Sequence, residues 1–157
     1  MSARSAGILL YRRRGDAFAV LLVHPGGPFW ARRDAGAWSI PKGEYDPDED
    51  PLAAARREFE EELGVPVPDG PARELGEVRQ KGGKLVRVWA IAGDLDAGAT
   101  TSNTFELEWP PRSGKLIEVP EVDRAEWFTL ERAREKINPA QAELLDRLSE
   151  MQAAAGR

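Results

Sequence analysis

A single mixed α/β domain is predicted by three observations. The first is size: 157 residues, 41% of them hydrophobic, suffice for one domain with a real core, and no internal repeat or second linker divides them. The second is a series of short, apolar, β-rich runs bounded by glycine, proline and charged turns. The third is a strongly amphipathic helical run from Asp50 to Leu63 between those strands, with two further helical runs closing the chain. The domain is expected to span residues 1–152, with 153–157 as a fraying tail.

Taken in order, Ser5 to Tyr11 and Phe18 to His24 are apolar and β-rich, and Arg12-Arg13-Arg14-Gly15-Asp16 between them reads as the turn of a hairpin. The loop from Pro25 to Gly36, with Pro28, three glycines and the Phe29-Trp30 pair, exceeds what a structural connection needs, so it is expected to line a substrate cleft. It leads into Trp38-Ser39-Ile40-Pro41-Lys42-Gly43. Beyond the central helix, Val65 to Pro71 is proline-rich. Arg73 to Gln80 and Lys84 to Ala92 read as strands joined at Gly82-Gly83, and Arg124 to Phe128 as a last short strand. Helices are expected over Leu130 to Lys136 and Pro139 to Gln152.

The central helix carries the chemistry. Asp50 suits the N-cap and Pro51 the first helical position, where its missing N–H costs nothing. Leu52, Ala55, Phe59 and Leu63 make an apolar stripe that must face a core. At about 100° per residue, Glu58 and Glu62 fall one turn apart beside that stripe, with Glu61 next to them and Glu60 turned away. Three neighbouring carboxylates repel one another unless a cation sits among them. Hard oxygen donors suit Mg²⁺, with Mn²⁺ as the alternative, and Mg²⁺ characteristically accepts substrate phosphates as further ligands. Arg57, four residues before Glu61, is placed to pin its carboxylate, and Gly64 suits a left-handed residue after the helix. A merely solvated acidic face would need no Gly43, Glu49 or Gly64 at set offsets.

The spacing from Gly43 to Val65 is G-x5-E-x7-R-E-U-x-E-E-x-G-U, where U is apolar, and every specified position is filled. Seven specified residues at ordinary frequencies give a chance match on the order of 10⁻⁸ per starting position. The segment resembles the signature of the Nudix hydrolase family, and the order of elements resembles the Nudix fold, an α/β/α sandwich with a mixed sheet. The resemblance implies a metal cluster of Glu58, Glu61 and Glu62 with the Gly43 carbonyl, supported by Arg57 and Glu49. It also implies one more acid outside the box, a few residues before an aromatic of the last strand. Glu121, six residues before Trp127, fits that place, and Glu106, Glu108, Glu118 and Glu126 compete with it.

The implied reaction is hydrolysis of a phosphoanhydride: water attacks phosphorus, metal ions polarise the phosphoryl oxygens, and a carboxylate takes the proton. The expected catalytic set is Glu58, Glu61, Glu121 and Lys42, with Lys42 adding positive charge where negative charge develops. Phe29, Trp30 and Lys42 are the expected substrate-binding residues. The expected substrate is a nucleoside or dinucleoside polyphosphate. Trp38-Ser39-Ile40-Pro41-Lys42-Gly43 resembles the W-x-x-P-K-G entry of enzymes acting on dinucleoside polyphosphates and of decapping domains. The tyrosine of one diadenosine-polyphosphate subgroup and the proline of the ADP-ribose subgroup are absent; Arg79-Gln80-Lys81 stands where that proline would be. The alternative is a Nudix domain that binds a nucleotide without turnover, against which stand the three retained glutamates. Diphosphate isomerisation of the Nudix type normally uses a cysteine, and the chain has none.

Among the remaining aromatic residues, Trp38, Trp89 and Trp127 lie in strand-like contexts and are expected in the core, whereas Trp30, Trp109 and Phe29 are base-stacking candidates. His24, the single histidine, is expected to take a hydrogen-bonded place at a strand end. Acidic residues outnumber basic ones, 27 to 22, a net charge of −5 that speaks against general nucleic-acid binding. No apolar run is long enough to span a membrane, and Met1-Ser2-Ala3-Arg4 does not resemble a signal peptide, so a cytoplasmic location is expected. Zero cysteines exclude disulfides and thiolate chemistry. The oligomeric state is not legible.

Overall fold

Strand β1 (Arg4–Arg14) is the spine of the sheet because both of its faces are apolar. Its residues alternate between two cores: Leu9 and Tyr11 on one side, Ala6, Ile8 and Leu10 on the other. Strands β2 (Ala17–Pro25) and β5, the segment Leu85–Ala92, alternate in the same way, as doubly covered strands must. The computed structural model describes residues 4–15 and 17–155. Met1 to Ala3, Asp16 of the expected turn, and Gly156 and Arg157 of the expected tail lie outside the described residues.

The main sheet is mixed and six-stranded. Its order is β4 (Arg73–Arg79), β5, β1, β2, β8 (Val122–Thr129), with β3 (Lys42–Glu44) also on β1. β1 and β5 run parallel, from Arg4↔Leu85 to Tyr11↔Ala92, whereas β1–β2, β1–β3, β2–β8 and β4–β5 are antiparallel. One edge of β1 is shared. Its Tyr11–Arg14 end pairs with β2 and its Ser5–Gly7 end with β3, so β2 and β3 diverge and a cleft opens between them. A bridge between Val23 and Ser39 closes the inner end of that split.

Helix α1 (Pro51–Leu63) covers one face with Ala54, Ala55, Phe59 and Leu63, all fully buried, and Leu52 partly buried beside them. Burying Phe59 and Leu63 contributes roughly 1.5–3 kcal/mol each before ordering entropy is counted. The expected caps are present: Asp50 accepts from the Ala53 amide at 3.0 Å, and Gly64 is left-handed at φ 71°. Helices α2 (Leu130–Lys136) and α3 (Glu143–Ala155) cover the other face through Ala133, Leu144, Leu145 and Leu148, completing the sandwich.

Several expected boundaries are corrected. Arg12 to Arg14 is strand and not turn: it pairs with Ala17–Ala19, and Gly15, which follows it, takes a left-handed φ of 64°. The Arg12 and Arg13 guanidiniums lie 4.1 Å over Trp127 and 4.8 Å over Phe18, so three consecutive charges are compatible with a strand. The run expected as a helix from Pro139 is broken. Pro139–Gln141 is a tight turn capped by Asn138, and α3 begins at Glu143, because the Gln141 side chain is drawn into the core. The helix then continues to Ala155. A two-stranded sheet of β6 (Thr104–Glu108) and β7 (Leu116–Pro120) had no counterpart among the expected elements. Its mixture of acids, prolines and single apolar residues carries little strand signal, and Phe105, Leu116 and Ile117 remain exposed. Among the described residues, no helix is long and apolar enough to cross a membrane.

Candidate active site

The acidic edge of α1 faces the cleft between β2 and β3. A cavity of about 150 Å³ there is lined by Val23, Pro25, Ser39, Ile40, Lys42, Glu62, Glu121 and Val122. Glu62 points into it. Its Oε2 is buried without any hydrogen-bond partner, and burial, with Glu121 and Glu58 nearby, pushes its carboxyl up from the ordinary 4.5 to about 8, against the pull of Lys42. Lys42 is itself driven down, chiefly by burial and then by Lys84, while Glu62, Glu44 and Glu58 oppose the change.

Glu58 is one turn back. Its carboxyl is raised by burial and by Glu61, in spite of Arg57. The backbone of Gly43 lies against it, and a β-carbon on Gly43 would run into the Glu58 carboxylate. Arg57 organises the outer side: its Nε and Nη2 donate to the two oxygens of Glu49, both at 3.1 Å, and its Nη1 donates to Glu58 at 2.9 Å and Glu61 at 3.2 Å. Arg57 therefore pins Glu61, as the four-residue spacing predicts, and also draws on Glu58. Glu60 is exposed on the far side.

Glu121 reaches the site through a chain of backbone bonds that sequence reasoning missed. The last turn of α1 leaves carbonyls without helical partners. The Thr101 amide donates to the Leu63 carbonyl at 2.9 Å and the Asn103 amide to the Glu61 carbonyl at 3.0 Å. Asn103 in turn accepts from the Glu121 amide at 3.0 Å, and its Nδ2 donates to Glu121 Oε1 at 3.3 Å. Ser102 Oγ accepts from the Val122 amide at 3.0 Å. The 101–103 segment is thus a second cap for α1 and a cradle for Glu121. Only Gly64, whose β-position is occupied by the Thr101 carbonyl, hints at it from the sequence.

The other expected residues separate clearly. Phe29 is 54% exposed, meets Trp30 edge-on with centroids 5.1 Å apart, and carries the Arg33 guanidinium 4.2 Å above its ring. Trp30 is only partly exposed and packs against the core, so of that pair Phe29 has the freer surface. Trp109 is half-buried at the end of the β6–β7 hairpin. Trp38 and Trp89 are buried and Trp127 is partly buried, its Nε1 donating to the Leu95 carbonyl at 3.1 Å. His24 is fully buried, with Nδ1 2.8 Å from Asp123 Oδ1 and Nε2 2.6 Å from the Arg33 carbonyl. It straps the Phe29 loop to the start of β8. Of the competing acids, Glu106, Glu108 and Glu118 project from the same face of the β6–β7 hairpin, where Thr104 bonds Glu118.

Fit to a divalent cation follows from donor chemistry. The unpartnered Glu62 oxygen, the raised carboxyls of Glu58 and Glu62, and the close-lying Gly43 backbone all describe an edge short of positive charge. In this conformation Glu58 and Glu61 turn to Arg57 while Glu62 turns to Lys42. Among the described residues no three acids are gathered as a closed cage. The residues fit the ion as an open edge.

Comparison with known proteins finds relatives both in sequence and in fold. An RNA pyrophosphohydrolase of Erythrobacter litoralis is 40% identical over 60 residues, which are 38% of this chain and 32% of that protein. The asymmetrical bis(5'-nucleosyl)-tetraphosphatase of Rattus norvegicus is 32% identical over 100 residues, 57% of this chain and 64% of that one. The chain thus spans between a third and two thirds of the length of these relatives. In fold it is similar to a C. elegans Ap4A hydrolase, with a TM-score of 0.68 at 23% identity, covering 97% of this chain and 98% of that one. The NUDIX domain model matches residues 1–148, taking in the whole sheet, the acidic helix and Glu121, and the chain belongs to the NUDIX family.

Proposed function

We propose that the protein is a Mg²⁺-dependent pyrophosphohydrolase that cleaves a phosphoanhydride bond in a nucleoside or dinucleoside polyphosphate. The observation that carries this reading is Glu62: a buried carboxylate oxygen without a partner, facing a cleft between Lys42 and Glu121, on the helix edge that also bears Glu58 and Glu61. The hydrolase and phosphatase names of the relatives support the reaction class, and the Ap4A hydrolase likeness supports the fold that hosts it.

A divalent ion on Glu58, Glu61, Glu62 and the Gly43 carbonyl would polarise the phosphoryl oxygens and offset their charge. Lys42, mostly buried in the same cleft, places a cation where the leaving phosphate gathers negative charge, and its low-dielectric setting strengthens that interaction. Glu121, held by Asn103, is the base in this scheme. It takes a proton from water as the oxygen–phosphorus bond forms and the bridging phosphorus–oxygen bond breaks. Phe29 offers an exposed ring on which a base can stack. Trp30 backs it from the core side.

One observation favours the second reading, a domain that binds a nucleotide without turnover: Arg57 already engages Glu58 and Glu61. Incubation with Mg²⁺ and a panel of diadenosine tetraphosphate, ADP-ribose, 8-oxo-dGTP and dNTPs, followed by chromatography, separates the two. Release of phosphate-containing products supports hydrolysis. Binding without product supports the alternative.

A further inference from the structure

Gln141 is a fully buried polar side chain, remote in sequence from the acidic helix, and nothing in the proposed chemistry uses it. Its Oε1 accepts from the Ile40 amide at 3.0 Å. Its Nε2 donates to Ser39 Oγ at 2.9 Å and to Gln80 Oε1 at 3.2 Å. One side chain therefore ties the end of β4, the C-terminal helical layer and the Ser39–Ile40 segment together.

That segment is a wall of the cleft; the Trp38 and Ser39 amides bond to main-chain carbonyls, and Ser39 Oγ donates to the Ile40 carbonyl at 2.7 Å. Ser39 exchanges both bonds with Val23, at 2.8 and 2.9 Å, and Trp38 accepts from the Asn138 amide at 2.7 Å. Ile8 donates to the Pro41 carbonyl at 3.2 Å. The Ile40 amide is the exception, because its partner is a side chain. Pro41 has no amide to give, so the bond to Gln141 is the last that a backbone amide of this segment donates before the chain enters β3. Tolerances downstream are tight. Gly7 leaves room for no β-carbon against Ile40, Pro41 and Lys42, and Gly43 none against the Glu58 carboxylate.

We propose that Gln141 is a positioning residue: it fixes Ser39 and Ile40, the two residues that lead through Pro41 to Lys42, and so sets the place of the Lys42 side chain in the cleft that Glu62 also lines. The inference rests on the reading of that cleft as the hydrolytic site. Its prediction is specific, since a residue that acts through Lys42 has little left to affect once Lys42 is gone.

The test is a double-mutant cycle on diadenosine tetraphosphate with Mg²⁺, combining Gln141→Met, nearly isosteric but without hydrogen bonds, with Lys42→Met. Gln141→Met is expected to lower kcat on the order of tenfold, with KM held within about twofold. In the Lys42→Met background it is expected to change kcat by less than about twofold. Ser39→Ala removes one of the two Nε2 partners, together with the Ser39 Oγ bond to the Ile40 carbonyl, but keeps the Ile40 amide bond to Gln141, and is expected to lie between wild type and Gln141→Met. Gln141→Glu, which keeps an acceptor toward Ile40, is expected to recover part of the loss. Independent multiplication of the two losses, or an unchanged kcat in Gln141→Met, overturns the proposal.

Amide hydrogen exchange supplies a readout that does not depend on turnover. The Ile40 amide is expected to lose protection in Gln141→Met while the amides of α1 keep theirs, and equal protection of Ile40 in both proteins overturns the proposal. Should the wild-type protein hydrolyse nothing, the proposed function fails, and exchange at Ile40 still decides the placing of the segment. Should Gln141→Met not fold, Ser39→Ala in the same cycle carries the test, with additivity again counting against.

Discussion

The backbone of Gly43 rests on the carboxylate of Glu58 with no space for a β-carbon between them. A glycine at the head of the sequence signature is thus explained by the residue at its centre. β3 approaches α1 this closely because Gly43 carries no side chain. Gly43→Ala is expected to displace Glu58 and reduce kcat/KM on the order of 100-fold, with thermal unfolding little changed because α1 keeps its buried face. Steady-state kinetics beside a melting curve check this, and full activity in the alanine variant would refute the contact's importance.

Glu62 predicts an inverted pH dependence for the metal-free protein. Its folded-state carboxyl is raised from 4.5 to about 8, so the folded form binds a proton that the unfolded form releases between those values. The stability it contributes is complete below about pH 4.5 and is lost as pH rises toward 8. The slope is at most about 1.4 kcal/mol per pH unit, and because the residue is half-buried the total is on the order of 1–3 kcal/mol. Denaturant titrations in EDTA should show stability falling from pH 6 to pH 8.5. Glu62→Gln should flatten that fall, and saturating Mg²⁺ should oppose it, since a cation removes the penalty on the charged form. The same Glu62→Gln variant is expected to abolish turnover.

Glu121 and Asn103 form a pair that kinetics can separate from the rest of the site. Glu121→Gln is expected to lower kcat by about 10²- to 10⁴-fold. Asn103→Ala keeps the carboxylate and loses its 3.3 Å support, so a smaller drop, on the order of tenfold, is expected. Full activity in Glu121→Gln would assign the base elsewhere.

Phe29 is exposed and Trp30 is packed, so their alanine variants are expected to differ in kind. Phe29→Ala should leave stability within about 0.5 kcal/mol of wild type. It should raise KM by a factor equivalent to about 1–3 kcal/mol if a base stacks on the ring. Trp30→Ala should cost stability through lost packing.

His24 links the loop bearing Phe29 to the strand that follows Glu121. His24→Leu leaves the Arg33 carbonyl and the Asp123 carboxylate without that partner, and a loss of about 1–3 kcal/mol is expected in urea denaturation. A larger KM with little change in kcat would place its effect on the loop, and unchanged stability would show that the strap is dispensable.

The amino-acid sequence by itself determined the acidic helix and its caps, because those depend on neighbours within one or two turns. Asp50, Pro51, Arg57, the three glutamates and Gly64 act at fixed helical offsets, and the alternation in β1, β2 and β5 follows from a period of two residues. Only the tertiary structure decided what faces that helix. Divergence of β2 and β3 from one edge of β1 opens the cleft, and the 101–103 segment caps α1 while presenting Glu121. Gln141 enters from the far layer to hold Ile40, about a hundred residues away in sequence. Such pairings carry no periodicity. They arise where orphaned carbonyls of a helix end and a lone buried amide find partners, and the chain has many polar residues able to serve. The weakly patterned β6–β7 hairpin was hidden for a related reason: its strands hold each other through backbone bonds and leave their apolar side chains largely in solvent.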